Sequence, residues 1–490
     1  MKTTIYDFLE KAGDYINNNL QDLLAYLDKD KHRLKGELIP SDRVLSSRHK
    51  GFNLNGKNIT PELSRQGVLI NGETGSMKSA GAVIRSILTV NGSQIIHDPS
   101  SELHQKTSGA LAKRGYTILQ LDFAKPTRSL RYNPIERANT RSQITQLATQ
   151  LVTINGDTTT DDASFWNQKA IEVLYILISI VKTQDKEYQT LYQVANLLDQ
   201  MQSKETAPLV DKFFAKYAPN DELFVKYSSV VSQSPNTLSS VLASAQTAVQ
   251  IFSLDENIAE ITASDSIGDF KDLRIQGTCL YIHSSTSKMR YYSKVTSIFL
   301  SQYFESFFEE LPTENMEDMY FHLDETPILS IGSLDIIAAN IRKYRGALML
   351  VCQNAKAQLT AKYGRRADAI LSNLRTKVYM SADLNTATAL EITLGRYEFN
   401  DDQDYNRLKS RSVLNADEIM SLPPEKALIM VSGMRGVLAR VKPYFKVRAL
   451  RELTSLPPYR NDQHYAMSDS IPLLVLKEMF PNTESDESAD

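Results

Sequence analysis

Cysteine and tryptophan are scarce in this 490-residue chain, which has two cysteines, Cys279 and Cys352, and a single tryptophan, Trp166. Both cysteines stand in apolar, strand-like runs, GTCLYIH and ALMLVCQ, where small buried thiols are common. So few cysteines exclude a disulfide-dense fold, and we interpret both as core residues of a protein in a reducing compartment. Trp166, in SFWNQKA, is interpreted as a packing anchor at the start of a helix.

The sequence also lacks a long hydrophobic run. The longest, AIEVLYILISIV (170–181), is shorter than the about 20 residues of a membrane-spanning helix and contains Glu172. The polar start MKTTIYDFLEKAGD does not fit a signal peptide. We therefore expect no transmembrane segment and a cytoplasmic protein, either free or peripheral at the inner face of a bacterial membrane through protein partners.

Neither sign of charge dominates, because 55 Lys and Arg stand against 58 Asp and Glu, for a formal net charge of -3. A nucleic acid would therefore have to bind a local basic surface. Transition-metal signatures are also missing: His97 and His104 flank acids in HDPSSELH, but the sequence offers nothing to pair with them, so zinc is not expected. Serine and cysteine nucleophile signatures are absent too.

What the chain does contain is an alternation of short β-rich runs and helical segments, which predicts an α/β fold with a mostly parallel sheet flanked by helices. The runs are GVLI, SQIIHD, YTILQLDF, GTCLYIH, MYFHLDE, ALMLVCQ, TKVYMSA and KALIMVSG. Between the third and fourth runs helical spacing dominates. We therefore predict a nucleotide-binding α/β domain in two parts, 35–156 and 270–455, interrupted by an inserted all-α domain at 157–269.

The two ends of the chain differ from this pattern. Residues 1–34 carry an apolar stripe at helical spacing, which predicts one or two amphipathic helices. The stripe is Ile5, Phe8, Leu9, Ala12, Tyr15, Ile16, Leu20, Leu23 and Leu27. The opposite face mixes Asp and Lys, so docking on protein is favoured over a lipid surface. Residues 456–490 form a C-terminal extension whose acidic end, TESDESAD, is predicted to be disordered.

The stretch GVLINGETGSMKSAGAVIRSIL places an apolar strand, a glycine turn, Lys-Ser and a helix in the order of a phosphate-binding P-loop. In such a loop the backbone amides hold phosphates, the lysine reaches the terminal phosphates and the hydroxyl binds Mg²⁺. The predicted ATP-binding residues are Gly72, Glu73, Thr74, Gly75, Ser76, Met77, Lys78 and Ser79. Met77 stands where the motif has glycine, and we expect a strain of about 1–3 kcal/mol or an altered loop there.

The second half of a nucleotide site should be acidic and follow a buried strand, and DMYFHLDETP supplies Asp324 and Glu325. We predict that Asp324 holds Mg²⁺ with Ser79 and that Glu325 activates the attacking water. Gln353 ends another strand and is placed to sense the terminal phosphate. Arginines that could reach a neighbouring subunit's phosphates are Arg342, Arg345, Arg365, Arg366 and Arg375, of which Arg375 is preferred.

Several stretches, in order along residues 65–445, together resemble the type IV coupling proteins of conjugation and secretion, the TraG/TraD family of DNA-pumping ATPases. Besides the P-loop they are DPSSELHQKTSGALAKRGYTILQLDF, SLRYNPIE, FWNQKA, HLDETPILSIGSLDI, QNAKAQLTAKYG, ILSNLRTKVYMSADLNTATAL and SVLNADEIMSLPPEKALIMVSG. The resemblance implies a RecA-like motor domain, a helical domain at its cytoplasmic end and a hexameric ring. It assigns phosphate, magnesium, water and sensor contacts to Lys78, Ser79, Asp324, Glu325 and Gln353.

Three departures accompany the resemblance. Met77 replaces the P-loop glycine, Ser100 stands where the family usually has lysine after Asp-Pro, and the family's usual N-terminal transmembrane helices have no counterpart. We expect the chain to dock through its N-terminal helices, or its anchor to lie on a separate protein.

The predicted function is a cytoplasmic, Mg²⁺-dependent coupling ATPase that binds DNA or a relaxase–DNA substrate and drives it into a type IV secretion channel. One alternative is a non-hydrolysing docking receptor of the same machinery, which Met77 favours. The other is a DNA translocase or packaging motor unrelated to secretion.

Overall fold

The computed structural model describes residues 36–54, 56–154, 161–275, 277–313, 316–400, 408–461 and 464–481. The amphipathic helices predicted for 1–34 and the acidic end of the C-terminal extension lie outside these residues. Within the described part, no helix combines the length and the apolar character that a membrane crossing requires.

The described residues form thirteen strands, most of them short apolar runs. The strands are β1 (Asn53–Leu54), β2 (Lys57–Asn58), β3 (Val68–Asn71), β4 (Ser93–Asp98), β5 (Thr117–Asp122), β6 (Thr278–His283), β7 (Met319–Leu323), β8 (Gly346–Cys352), β9 (Thr376–Tyr379), β10 (Arg396–Asn400), β11 (Leu408–Ser412), β12 (Lys426–Val431) and β13 (Val437–Arg440). All eight predicted runs are strands. The hairpins β1–β2 and β10–β11 and the edge strand β13 were not predicted.

Nine of these strands form one mixed sheet in the order β13-β12-β9-β3-β8-β7-β4-β6-β5. The pairs from β9 to β5 are all parallel, whereas β12 runs antiparallel to both β9 and β13. The prediction of a mostly parallel sheet flanked by helices is confirmed. Its central strands β3, β8, β7, β4 and β6 are buried along their whole length, as expected where helices cover both faces of a parallel sheet.

Helices connect the strands and cover the sheet. The α-helices are α1 (Pro61–Ser64), α2 (Ile84–Thr89), α3 (Glu102–Lys113), α4 (Arg141–Thr153), α5 (Asp161–Val181), α6 (Leu191–Gln202), α7 (Ala207–Tyr217), α8 (Asp221–Val231), α9 (Pro235–Val249), α10 (Ile251–Leu254), α11 (Glu256–Thr262), α12 (Met289–Phe307), α13 (Leu334–Asn340), α14 (Ala355–Tyr363), α15 (Arg366–Asn373), α16 (Leu384–Leu394), α17 (Ala416–Met420), α18 (Arg448–Thr454) and α19 (Leu476–Met479). A π-helical turn, Ser79–Val83, precedes α2. Short 3-10 helices occupy Ser41–Arg43, Pro126–Arg128, Lys186–Tyr188, Phe270–Arg274, Thr286–Lys288, Thr326–Ile328, Ile341–Tyr344 and Tyr444–Lys446.

The helices α4 to α11 lie between β5 and β6, where the described residues contain no strand. This helical run begins at Arg141, before the predicted boundary at 157. Local sequence explains several helix starts: Thr140 and Gln143 form a capping box at α4, and Ser234 caps α9 with Pro235 in its first turn. Apolar side chains of α5 and of the sheet strand β7 belong to one continuous core. The domain limits themselves remain a prediction.

Sheet register determines where the site lies. Asn71 at the end of β3 pairs with Cys352 at the end of β8, and Leu323 at the end of β7 pairs with Leu350. Because the three strands are parallel, the segments that follow them leave the sheet at the same edge, where open α/β sheets bind ligands. The P-loop, the Asp324–Glu325 pair and Gln353 therefore converge.

Candidate nucleotide-binding site

The P-loop spans the turn from β3 to the π-helical turn and α2. Its entry is fixed to the neighbouring strand, because the Gly72 amide donates to the Cys352 carbonyl at 3.2 Å. The Ser76 amide closes the turn on the Glu73 carbonyl at 3.1 Å. Glu73, Thr74 and Gly75 form its exposed crest.

Met77 adopts a backbone conformation that a side chain disfavours. Its φ is 66°, in the left-handed region, as is that of Gly75 with φ 83°. A non-glycine residue held in this region costs on the order of 1–3 kcal/mol. The loop therefore keeps the glycine-like backbone shape at the substituted position and carries the strain that the sequence predicts.

Lys78 is buried and turned into its own loop. Its Nζ donates to the Gly72 carbonyl at 2.6 Å and to the Glu73 carbonyl at 3.0 Å. Burial lowers the pKa of Lys78, and the nearby carboxylates of Glu325 and Asp324 oppose that shift. The ammonium group thus lies between the loop and the acidic pair, where a phosphate chain would meet it.

Asp324 and Glu325 follow β7 directly. The Asp324 Oδ1 accepts the Glu325 amide at 3.1 Å, and the Asp324 carbonyl lies 2.6 Å from Nδ1 of His97. Glu325 itself has φ 47°, so a strained turn aims this carboxylate. Burial, reinforced by the charge of Glu325, raises the pKa of Asp324 to about 6. A divalent cation would favour the ionised carboxylate at this position.

Gln353 joins the loop to the acidic pair. Its Nε2 donates to Oε1 of Glu325 at 3.4 Å, and its Oε1 accepts the hydroxyl of Thr74 at 3.4 Å. Its backbone amide is held by Oε1 of Gln358 at 3.0 Å. The predicted sensor therefore touches both halves of the predicted site.

Two residues that support the loop were not singled out from the sequence. Oγ of Ser381 accepts the Glu73 amide at 2.6 Å, and Oδ1 of Asn71 accepts the Ala355 amide at 2.7 Å. Nδ2 of Asn71 donates to the Ser381 carbonyl at 3.4 Å. The available signal was position, because Asn71 directly precedes the P-loop and Ser381 lies at the end of the predicted run TKVYMSA.

The arginine candidates lie elsewhere. Arg375 is exposed at the beginning of β9, where its amide donates to the Gln66 carbonyl at 3.0 Å, at the opposite edge of the sheet from the P-loop. The structure does not bring it to this chain's own site, and its predicted role on a neighbour's phosphates stays a prediction. Arg345 is paired with Asp318 at 3.0 Å.

The residues present fit a Mg²⁺-nucleotide. Oγ of Ser76 is buried without a hydrogen-bond partner inside the loop, as expected of a group that meets a ligand. Ser79 begins the π-helical turn directly after Lys78, so its hydroxyl and Asp324 would hold Mg²⁺. The loop amides and Lys78 would hold the phosphates.

Comparison with known proteins identifies relatives of this chain. The family model described as "Type IV secretory system Conjugative DNA transfer" matches residues 17–467. VirD4 of Agrobacterium fabrum is 24% identical over 424 residues, covering 79% of this chain and 59% of VirD4. VirD4 of Rhizobium radiobacter is 24% identical over 443 residues, covering 81% and 61%. The chain thus spans about three fifths of the length of these curated relatives.

Solved structures of the conjugative coupling protein TrwB share the fold. The trigonal form in complex with sulphate has a TM-score of 0.67 at 17% identity, covering 84% of this chain and 94% of that one. TrwB in complex with ADP and Mg²⁺ has a TM-score of 0.66, with the same identity and coverage. The likeness shows a shared fold, with a mostly parallel sheet flanked by helices.

Proposed function

This chain belongs to the family of conjugative DNA transfer proteins of type IV secretory systems, and on that premise we propose that it is a coupling ATPase. It binds ATP with Mg²⁺ and drives DNA, alone or with an attached relaxase, towards a secretion channel. The observation that carries the proposal is the convergence of Lys78, Asp324, Glu325 and Gln353 at one edge of the sheet.

Each residue has a distinct task in this proposal. Lys78 and the loop amides bind the phosphates, while Ser79 and Asp324 bind Mg²⁺, which when bound neutralises phosphate charge. Glu325 orients the attacking water and accepts its proton. Gln353 holds Glu325 through the hydrogen bond at 3.4 Å and, through Thr74, senses the state of the loop.

We further propose that copies of the chain assemble as a homo-hexamer around DNA. Exposure of Arg375 at the sheet edge opposite the chain's own P-loop supports this, because an arginine there is free to reach a neighbour's phosphates. DNA binding would use sequence-tolerant phosphate contacts and therefore weaken steeply with salt. The ring would work at the inner face of the membrane through contacts with channel proteins.

A second candidate is a docking receptor that binds nucleotide without hydrolysing it. The left-handed conformation of Met77 favours it, because a strained loop at this position can hold phosphates in a geometry unsuited to hydrolysis. The intact pair Asp324–Glu325 favours the ATPase, because a receptor has no need of both carboxylates.

Steady-state ATP hydrolysis with and without single- and double-stranded DNA decides between the two. We expect DNA-stimulated turnover in the wild type, and a loss of about 100-fold or more in Lys78→Ala and in Glu325→Gln, since each removes a group that acts in the transition state. Lys113→Gln, on the exposed end of α3, is the matched control and should hydrolyse ATP at the wild-type rate.

The Met77→Gly variant distinguishes an active ATPase from a docking receptor whose loop is unsuited to hydrolysis. Turnover in the wild type would show that methionine is tolerated. If the wild type is inert and Met77→Gly turns over, the docking receptor is the better description. Inert protein in every variant, with no nucleotide bound at millimolar concentration, would contradict both candidates.

A further inference from the structure

A second pocket, of about 180 Å³, opens at the same edge of the sheet as the P-loop but on the far side of β7. It lies over the carboxyl ends of β4, β5 and β6, where His283 is in register with both Asp98 and Asp122. The first turn of α3 forms one wall. The turn after β5 and the segment 458–461 form the others.

The floor of this pocket contains polar groups without partners. His283 is 2% exposed, and neither of its ring nitrogens has a hydrogen bond in the described part of the chain. Its Nδ1 is 3.7 Å from Oδ2 of Asp98, beyond hydrogen-bond distance. His104 is 9% exposed, and its Nε2 is also without a partner. Buried polar groups in folded proteins are rarely left unpaired, so these nitrogens point to a ligand.

Both rings are neutral donors. Burial lowers the pKa of His283 to about 3 and that of His104 to about 4, so each imidazole carries one N–H at neutral pH. The two rings meet edge to face, with centroids 5.0 Å apart. Each ring can therefore donate one N–H to a ligand without bringing buried charge.

The mouth is positively charged. Lys125, Arg128 and Arg460 line it with exposed side chains, and among the described residues none has an acidic partner within ion-pair distance. Asp122 is the acid in the lining. Its Oδ1 is engaged by the Ala124 amide at 3.0 Å, which fixes the carboxylate in the turn after β5. Cations outnumber acids in the lining.

We propose that this pocket binds a phosphate group, as an anion site separate from the P-loop. Arginine and lysine at the mouth supply charge-assisted hydrogen bonds, and the two histidines supply donors at the floor. A metal ion does not fit, because no group of three His, Cys, Asp or Glu in the described residues is placed to hold one, and the mouth would repel it. The assignment comes from the pocket alone and does not depend on the proposed function.

The test is calorimetric titration of the full chain with inorganic phosphate. The P-loop is removed from the measurement by working in a Lys78→Ala background. We expect this variant to bind phosphate, and Lys125→Gln with Arg128→Gln to weaken that binding by at least about tenfold, since each substitution removes a charge-assisted hydrogen bond. Lys113→Gln should leave the affinity unchanged.

A second variant, His283→Gln, distinguishes phosphate bound inside the pocket from phosphate attracted only to the exposed charges at its mouth. Weaker phosphate binding in this variant, with an unchanged circular dichroism spectrum, supports the pocket. Unchanged affinity in folded His283→Gln, or no phosphate binding in the Lys78→Ala background, would overturn the proposal. If His283→Gln does not fold, His104→Gln takes its place, because Nε2 of His104 is the other unpartnered nitrogen at the floor.

The source of the phosphate is identified by competition. Displacement of inorganic phosphate by a single-stranded oligonucleotide, lost in Lys125→Gln with Arg128→Gln, identifies a nucleic-acid backbone phosphate. Phosphate binding that the oligonucleotide does not displace identifies a small phosphate ligand. Both outcomes require a filled pocket, so either one supports the site.

Discussion

At the scale of single residues, contacts with neighbouring side chains hold the loop around Lys78 in its conformation. The glycine position of the motif kept its left-handed backbone although the residue there is Met77. The network of Thr74, Gln353 and Glu325 then binds the loop to the acidic pair. The surrounding contacts therefore determine the loop's shape against the preference of its own side chain.

Replacing Met77 by glycine should stabilise the nucleotide-free protein by about 0.5–1 kcal/mol. Relief of the left-handed strain, about 1–2 kcal/mol, exceeds the backbone entropy that glycine loses on folding. Urea denaturation followed by circular dichroism measures the change. Glu73→Gly, exposed in the same loop but outside the left-handed region, is the control and should be destabilised by a similar amount. Equal destabilisation of both variants would show that Met77 is unstrained.

The sequence could not reveal those site residues whose role depends on where the fold places them and not on a recognisable motif. The P-loop motif predicted Lys78. Polar residues at the ends of apolar strands predicted Asp324, Glu325 and Gln353. Ser381 and His97 also lie near the ends of predicted strands, but a serine hydroxyl or an imidazole supports the site only when the sheet register brings it to a particular amide or carbonyl. Register is a tertiary property.

At the scale of elements, β3, β4, β6, β7 and β8 were predictable because burial on both faces leaves a continuous hydrophobic signal. The partly exposed strands β5, β9 and β12 keep enough apolar residues to be predicted as well. The hairpin β10–β11 was missed because its sequences, RYEFN and LKSRS, are polar and β11 is largely exposed. The reversed direction of β12 could not be predicted, since KALIMV reads equally well in either direction. Helix α4 precedes position 157, the predicted start of the helical insertion, and the domain limits stay a prediction.

The junction of β4 and α3 gives a pH-dependent prediction. Burial raises the pKa of Asp98 to about 7, although its Oδ2 accepts the His104 amide at 2.7 Å at the start of α3. The folded state therefore binds this proton more tightly than the unfolded state, so the contribution of Asp98 to stability falls as pH rises from about 4 to about 7. Asp98→Asn keeps the acceptor and removes the titration.

Urea denaturation of Asp98→Asn and the wild type at several pH values measures this contribution as a difference. Comparing the variant with the wild type removes the contribution of three buried histidines, His97, His104 and His283. Their lowered pKa values make stability rise with pH over part of this pH range, opposite to the effect of Asp98. We expect the variant to gain stability relative to wild type by a few kcal/mol between pH 4 and pH 7. Asp383→Asn, whose carboxylate pKa is lowered, should show no such relative gain. A pH-independent difference for Asp98→Asn would contradict the assignment.

At the scale of the whole molecule, one buried ion pair connects three distant parts of the chain. Arg131, after β5, meets Glu260 of α11 at 2.7 Å, with side chains 7% and 6% exposed. The Ser468 amide and hydroxyl donate to the same carboxylate at 3.2 and 3.3 Å. The Arg131–Glu260 pair therefore connects the sheet, the helices between β5 and β6 and the C-terminal segment. A continuous apolar core also joins the sheet to these helices.

Glu260→Ala should destabilise the protein by about 3–5 kcal/mol, because it leaves the guanidinium of Arg131 buried without its partner. Denaturant unfolding measures this loss. Glu452→Ala breaks the exposed pair of Arg448 and Glu452, 87% and 64% exposed, and should change stability by less than about 1 kcal/mol. A double variant, Arg131→Met with Glu260→Leu, should recover most of the loss. Equal costs for Glu260→Ala and Glu452→Ala would contradict the structural role of the pair.

The burial of both thiols has a practical meaning for chemical labelling. Cys279 in β6 and Cys352 in β8 are 0% and 1% exposed, and burial raises the pKa of each thiol well above its ordinary value. Maleimides react with accessible thiolates, so we expect neither native cysteine to be labelled in the folded wild-type chain. A single cysteine introduced at Arg375 or Lys125 would then carry a fluorophore alone, without removal of either native cysteine, and would report from the sheet edge or from the pocket mouth while the native thiols stay unlabelled.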